Sequence, residues 1–500
     1  MATPTPPPPQ PLHALIAYGD TYVQPLLLTA LAKTLPPQSY TLISTPSDLP
    51  SPTTPFLQIL QYESIDFDHL LQHPRTSLTN AYVIRKALIR KHYLSTTVAN
   101  WIVKYPESVL KRHVVPSVGF EVDYAEFLDD SLLEADAGDL WASWERGREG
   151  KKEWWILKPG MSERGQGIRL FSSEEELVSI FEEWDPDSDD EEEDEDEEEN
   201  GEADADARSD AGEGTDTLPT NTTQIKANDS GKGIITSQLR HFIAQPYIST
   251  PLLLSPPSPS SSNPTPSLRK FHIRTYVLAV GALKIYVYKP MLALFAASEY
   301  TPPSSETLFP STSSSAPVSD TLKAHLTNTC LQDTGEREGS VGLFWSLPDT
   351  LPPSSIPPYT PSDSTTTTTT TGLDEGWKST IFTQIQRITG EVFEAAARGM
   401  SIHFQALPNS FEVFGLDFMV SVEDRDGGGN ELRTWLLEVN AFPDFQQTGS
   451  ELKSVVEGLF EGVVEKGVKP FFFPSETEGT GAEDDRDTMV KVLDIDLGRR

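Results

Sequence analysis

The chain has 500 residues, 41 of them Pro and one Cys, and a formal net charge of −36. Most of the charge is local: between Glu182 and Asp216 there are 21 acidic residues against a single Arg, so a packed remainder of about 350 residues is only moderately acidic. One cysteine excludes an internal disulfide and a multi-Cys zinc site, the absence of a basic stripe argues against nucleic acid as a partner, and no apolar run approaches the ~20 residues of a membrane span.

Residues 1–12 form a Pro-rich leader without the pattern of a signal peptide, so the chain reads as cytoplasmic. His13 to Tyr18 reads as a strand, Val23 to Lys33 as a helix and Phe56 to Leu60 as a second strand, opening an α/β lobe expected over residues 13–150. Asn80 to Lys91 repeats apolar residues at helical spacing, which predicts a helix. Its Arg85, Lys86, Arg90 and Lys91 are either a solvated face or a surface that turns Lys86 or Arg90 toward phosphates or an acidic substrate. Trp101 to Lys111 predicts one more helix.

A larger core is expected over residues 151–470. It begins with the strand Trp154 to Pro159, which carries Lys158 near its end. The loop from Gly160 to Gly167, including Gly165 and Gln166, follows, and a strand resumes at Ile168. Such a loop is either a simple turn or a flap whose backbone N–H groups close over phosphates, with the lysine as a point charge. It is not a Walker A loop, because no Gly-Lys-Ser/Thr opens a helix. Glu174 to Trp184 reads as a helix. Residues 185–233 are too acidic and polar to fold, and serve either as a solubilising linker or as a competitor for a basic substrate-binding face. Further Ser/Pro/Thr-rich inserts are expected near 255–267, 301–320 and 350–372, and residues 471–500 read as a C-terminal tail.

Two long strands, Lys270 to Val280 and Leu283 to Lys289, flank the tight connection Gly281-Ala282. Lys270, His272 and Arg274 share one face by the two-residue period, and cations inside a sheet call for an anion. An amphipathic helix is expected from Asp374 to Arg398, and another from Glu451 to Glu465. Between them lie two apolar strands, Phe414 to Val420 and Trp435 to Asn440. If these pair as a hairpin, Asp417, Glu438 and Asn440 share a face. Either these polar residues simply end two core strands, or they hold Mg2+, which takes one or two carboxylates and completes its shell with water and phosphate oxygens.

The ordered set Lys158-Pro159 with its Gly-rich loop, Gln245-Pro246-Tyr247-Ile248, Lys270-Phe271-His272-Ile273-Arg274, His325-Leu326-Thr327-Asn328, Phe414-Gly415-Leu416-Asp417 and Leu437-Glu438-Val439-Asn440 resembles the tubulin-tyrosine ligase family. The resemblance implies an α+β ATP-grasp fold, with nucleotide between two α+β lobes preceded by the small α/β lobe. It also implies ATP and Mg2+ as cofactors. Lys158, Gly165, Gln166, Gly167, Gln245, Tyr247, Ile248, Lys270 and Asn328 would bind the nucleotide, Lys270 and Arg274 would act near the reacting groups, and Asp417, Glu438 and Asn440 would hold the metal. The implied activity joins a free amino acid to a carboxylate of a protein or peptide acceptor, tubulin among the candidates, through an acyl-phosphate. The alternatives are a catalytically impaired ATP-binding interaction module and a ligase for a small metabolite. Two positions depart from the family pattern: His272 stands where Asp is usual, and Leu294 where a basic residue is often found.

Overall fold

A computed structural model describes residues 11–160, 165–184, 240–257, 267–309, 318–327, 340–356, 376–424, 429–449, 451–474 and 487–498. Most of the acidic run, most of the other inserts, and Asn328 lie outside these residues.

Four strands near the N-terminus, β1 (Leu12–Ala17), β2 (Tyr40–Ile43), β3 (Phe56–Leu60) and β4 (Ser77–Thr79), form a parallel sheet in the order β2-β1-β3-β4. The helix Val23–Thr34 covers one face through Leu26, Leu27, Ala30 and Leu31. β3 is buried along its whole length, as a parallel strand covered on both faces requires. Strand β2, with the mixed burial of an edge, carries little signal in the sequence.

Two helix expectations fail here. Between Asn80 and Lys91 only Lys86–Ile89 is helical. Hydrogen bonds instead anchor an open segment to several neighbours: the Asn80 side chain pairs with both backbone groups of Leu60, Tyr82 donates its hydroxyl to Gly281 O at 2.8 Å, and Ala87 N donates to His403 O at 2.9 Å. The true helix is Lys91–Lys104, ten residues earlier than the one expected at Trp101. It stops just before Pro106, which disfavours helical backbone in the residue before it.

The second sheet has the order β5-β8-β6-β7, from β5 (Val118–Glu121), β6 (Trp155–Pro159), β7 (Arg169–Phe171) and β8 (His241–Pro246). Because β5 pairs with β8, this sheet draws on both sides of residue 150 and that position is not a boundary between sheets. The helix Glu174–Trp184 packs Leu177, Ile180, Phe181 and Trp184 into its core with Trp144, Trp155 and Phe242.

The third sheet has eight strands: β9 (Leu253–Leu254), β10 (Arg269–Val280), β11 (Lys284–Tyr288), β12 (Leu292–Phe295), β13 (Val341–Leu343), β14 (Phe411–Asp424), β15 (Asn430–Ala441) and β16 (Met489–Asp494). β10 is its hub and pairs with β9, β11, β12 and β14. On one face of β10, Phe271, Ile273, Val277 and Ala279 join the main core with Ile381, Ile385, Ile388 and Val392 of the helix Trp377–Gly399. Each of the Phe, Ile and Val side chains contributes about 1.5–3 kcal/mol by leaving water. The opposite face changes character partway along: Tyr276 and Leu278 enter a second core, whereas Lys270, His272 and Arg274 are polar and buried.

The expected tail is part of the fold. β16 pairs with β11, and the chain runs so close to Gly390 that a β-carbon there would lie 2.9 Å from Val492 O. The helix expected to end at Glu465 reaches Val463 and continues as a wider turn to Val468 and a short helix to Phe472. Parts of two expected inserts are also ordered, with helices at Ser305–Leu308 and Val318–Leu322 and a turn at Pro353–Ser355.

Candidate active site

A cleft with about 750 Å3 of empty volume opens between the second and third sheets. One wall comes from β6 and β8 with the segment after them, the other from β10, β14 and β15.

The β14–β15 hairpin builds the acidic wall. Asp417 lies directly opposite Glu438, and Gly415 opposite Asn440. A bulge follows, since Phe418 pairs with Leu436 and leaves Leu437 as the extra residue. The bulge turns Leu436, Leu437 and Glu438 all onto the cleft, which strict alternation does not allow. Asn440 Nδ2 donates to Asp417 Oδ2 and to Glu438 Oε1, each at 3.2 Å. The three expected metal ligands therefore meet. Among the described residues no group of three His, Cys, Asp or Glu is arranged to hold a metal ion. Two carboxylates and an amide nonetheless suit Mg2+ that draws its other ligands from water and phosphate.

Four basic side chains gather in and beside the cleft, and two of them touch these carboxylates. Arg274, opposite Asp417 on β10, makes a two-point pair with it: Nε to Oδ1 at 2.5 Å and Nη2 to Oδ2 at 3.0 Å. Lys91, the first residue of its helix, reaches Glu438 Oε2 at 3.4 Å. Lys158 Nζ donates to Gln245 Oε1 at 2.9 Å, and Lys270 Nζ to the Tyr247 hydroxyl at 3.1 Å. Lys158 and Lys270 donate to neutral groups, which suits both to a phosphate oxygen.

Burial sets the proton affinities. It lowers Lys158 to about 8 against the attraction of Glu438, and lowers Lys270 to about 7 with help from Lys158. Burial opposes the charge on Glu438, but Lys91 and Lys158 hold its carboxyl down at about 2. Burial likewise opposes the charge on Arg274, and the Asp417 carboxylate overcomes it and raises the guanidinium pKa. His272 and His325 are pushed down by burial, His325 to about 3, so both imidazoles are neutral near pH 7.

Tyr247 and Ile248 line the cleft, and Gln245 faces it through its bond to Lys158. Of the Gly-rich loop, Gly165 (φ 80°) and Gly167 (φ 72°) adopt the backbone that favours glycine, Gln166 is exposed, and the next residue, Ile168, lines the cleft. Residues 161–164 and Asn328 are outside the described residues. The two departures from the family pattern are direct cross-strand partners, His272 on β10 opposite Leu294 on β12. His272 binds Thr327 Oγ1 through Nδ1 at 2.7 Å and turns Nε2 toward Asp417 Oδ1 at 3.5 Å.

The basic surface expected at residues 85–91 is not one. Arg85 is buried against Glu412, with Nε to Oε1 at 2.9 Å, beneath the Tyr62 ring at 3.7 Å. Lys91 is turned into the site, while Lys86 and Arg90 remain half-exposed. Residue spacing had placed Lys91 on a generic basic face, and His325 and Thr327 carried no role of their own. Only contacts with Glu438, Tyr247 and His272 single them out.

Comparison with known proteins agrees with this architecture. The sequence profile described as the tubulin-tyrosine ligase family matches residues 123–350 and 360–477. A probable tubulin–tyrosine ligase of Schizosaccharomyces pombe is 38% identical over 97% of both chains. The probable tubulin–tyrosine ligase PBY1 of Saccharomyces cerevisiae is 39% identical over 87% of this chain, which spans about half (48%) of that longer protein. Among solved structures, the C-terminal domain of K. lactis Pby1, an ATP-grasp enzyme interacting with the mRNA decapping enzyme Dcp2, superposes with a TM-score of 0.58 at 31% identity over 97% of this chain and 99% of that one. The chain thus has the ATP-grasp fold and belongs to the tubulin-tyrosine ligase family.

Proposed function

We propose that the chain is a Mg-ATP-dependent ligase that joins a free amino acid to a carboxylate of a protein or peptide acceptor. The observation that carries this reading is that Asp417, Glu438, Lys158 and Lys270 line one cleft between two sheets, with Asn440, Lys91 and Arg274 bonded to the carboxylates. Asp417, Glu438 and Asn440 would hold Mg2+, which when bound neutralises phosphate charge. Lys158 and Lys270 would bind phosphate oxygens, and the segment Gln245 to Ile248 would receive the base. The acceptor carboxylate attacks the γ-phosphorus and displaces ADP; the amine then attacks the acyl carbon and releases phosphate. Such a reaction needs charge neutralisation and alignment more than a covalent enzyme group. The family name makes the tubulin C-terminal tail the first acceptor to try.

The test is incubation of the purified protein with ATP, Mg2+ and labelled amino acids in cell extract, followed by identification of the labelled product. Asp417→Ala and Glu438→Ala should each abolish labelling; labelling that survives in both would exclude the metal assignment. A second reading, an ATP-binding interaction module, draws on the Arg274 pair, which occupies both Asp417 oxygens. The Dcp2 contact of the K. lactis relative points the same way. Tight ATP binding without labelling across acceptors, together with retention of a decapping enzyme, would favour it.

A further inference from the structure

The lobe built on the second sheet is attached to the third by two chain segments that run onto the β14–β15 hairpin. Before β5, Val114 bridges to Leu436; after β8, Leu252 N donates to Val420 O and Val422 N to Thr250 O. Both attachments lie beyond the Val118 end of β5 and the Pro246 end of β8. His241 opens β8 at its other end, about 17 Å from Pro246 at ~3.4 Å per residue.

At that far end the lobe meets the helix Lys91–Lys104, which itself packs on Trp377–Gly399. The rings of His92 and His241 stack there, 4.6 Å between centres and 19° from parallel. His241 Nδ1 is 3.1 Å from Glu121 Oε1 on β5, and the His241 carbonyl accepts from Gly160 N at the root of the Gly-rich loop. The fit is tight, since a β-carbon on Gly160 would lie 2.7 Å from His92 Nδ1. That nitrogen is buried and has no hydrogen-bond partner among the described residues.

A charge on His92 has little to stabilise it. Burial opposes it first, then repulsion from His241, Arg90 and His403, and together they lower the ring from 6.5 to about 4. As the second residue of a 14-residue helix, the ring also sits near the positive end of the backbone dipole. From neighbouring elements His92 faces His241, with Glu121 behind it, and His403, which packs on the Tyr93 ring. The carboxylate in this group bonds His241, not His92.

We propose that the His92–His241 stack is an acid-opened latch between the two lobes: with His92 neutral it holds the root of the Gly-rich loop against the helix Lys91–Lys104, and a proton on His92 parts the rings and opens the cleft. The latch controls access and does not depend on which ligand the cleft takes. A ring that regains its ordinary 6.5 on leaving the stack binds more protons in the parted state, so falling pH favours parting. From pH 7.5 to 5.5 the ratio of joined to parted lobes falls by up to about tenfold, and the effect levels off below about pH 4.

Pulsed electron paramagnetic resonance on the full chain without nucleotide tests this. Spin labels go on Leu133→Cys, in the lobe of the second sheet, and Ile402→Cys, just past the helix Trp377–Gly399, in a Cys330→Ser background; both labelled positions are exposed. Lowering the pH from 7.5 to 5.5 should move population from one distance to a second, with the ratio falling at least about threefold, while circular dichroism stays unchanged. His92→Phe, which can stack but takes no proton, should keep its pH 7.5 distribution at both values. Should that variant fail to fold, His92→Gln, uncharged and of similar reach, replaces it. Nitrogen NMR of 15N-histidine-labelled wild type, with the His92 signal assigned by its loss in the variant, should show a titration midpoint well below 6.5. Distances that ignore pH in the wild type, an equal pH response in the His92 variant, a His92 midpoint at the ordinary value, or unfolding at pH 5.5 in place of a second distance would each overturn the latch.

Discussion

Arg274 and Asp417 face each other across neighbouring antiparallel strands and are joined at both ends, 2.5 Å from Nε to Oδ1 and 3.0 Å from Nη2 to Oδ2, with their side chains 9% and 5% exposed. Gly415 makes room for this: a β-carbon there would lie 3.3 Å from Arg274 Cδ and 2.9 Å from Pro443 Cβ. The pair ties the strand that carries the cations to the strand that carries the carboxylates.

Breaking the pair from one side leaves a buried charge without its partner. Arg274→Ala or Asp417→Ala should each lower stability by about 3–5 kcal/mol, whereas an apolar double replacement of similar volume should recover much of the loss. Urea denaturation of the two single variants and Arg274→Met/Asp417→Leu checks this. A double variant as unstable as the sum of the singles would contradict it.

Glu412 supplies a pH dependence. Burial raises its carboxyl from 4.5 to about 7, against the pull of Arg85 and of the Tyr82 N–H. Between about pH 4.5 and 7 the folded chain holds a proton that the unfolded chain has released. Stability therefore falls as pH rises through that window, by about 3 kcal/mol in all, and this contribution is flat above it. The difference in unfolding free energy between wild type and Glu412→Gln, followed from pH 4.5 to 8, should trace the fall; a constant difference would show that Arg85 keeps the carboxylate ionised throughout.

Gly160 closes the strand that leads into the Gly-rich loop. A β-carbon there would sit 2.7 Å from His92 Nδ1 and 3.1 Å from both His241 O and His241 Cβ, and Gly160 N already donates to His241 O at 2.6 Å. Because backbone is among the obstacles, Gly160→Ala should cost about 1–3 kcal/mol by overpacking. Gly138→Ala, at a helix start with nothing within 4 Å among the described residues, should be neutral or slightly stabilising. Melting curves of the two variants, recorded side by side, test the contrast.

The C-terminal strand should prove structural. Met489 is 3% exposed and packs near Gly462, and Lys284 to Tyr288 pair with β16. Truncation before Asp487 should cost at least the ~1.5–3 kcal/mol of burying Met489, besides exposing the β11 edge. A truncated chain that melts at the wild-type temperature would contradict this.

Much of the fold and the juxtaposition of most candidate site residues were legible along the chain where the signal is local. The apolar runs of β10, β14 and β15 and the helical stripe of Trp377–Gly399 announce themselves by period, and alternation was enough to put Asp417, Glu438 and Asn440 on one face. Where period misled, tertiary contacts had taken over the local pattern. Asn80, Tyr82 and Ala87 hydrogen-bond to Leu60, Gly281 and His403, and Arg85 is claimed by Glu412.

What the sequence determined by itself is the set of chemical groups: carboxylate and amide oxygens on one hairpin, cations on strand ends, and a Gly-rich loop beside a lysine. Period and residue type suffice for that, because neighbours on one strand see the same face. Only the tertiary structure decided how those groups are spent. It paired Arg274 with Asp417, turned Lys91 to Glu438 and put His272 opposite Leu294. It also left the Nε2 of His325 without a hydrogen-bond partner among the described residues. These outcomes depend on which strands become neighbours, on the bulge at Leu437 and on how deeply each charge is buried, and these are properties of the packed chain.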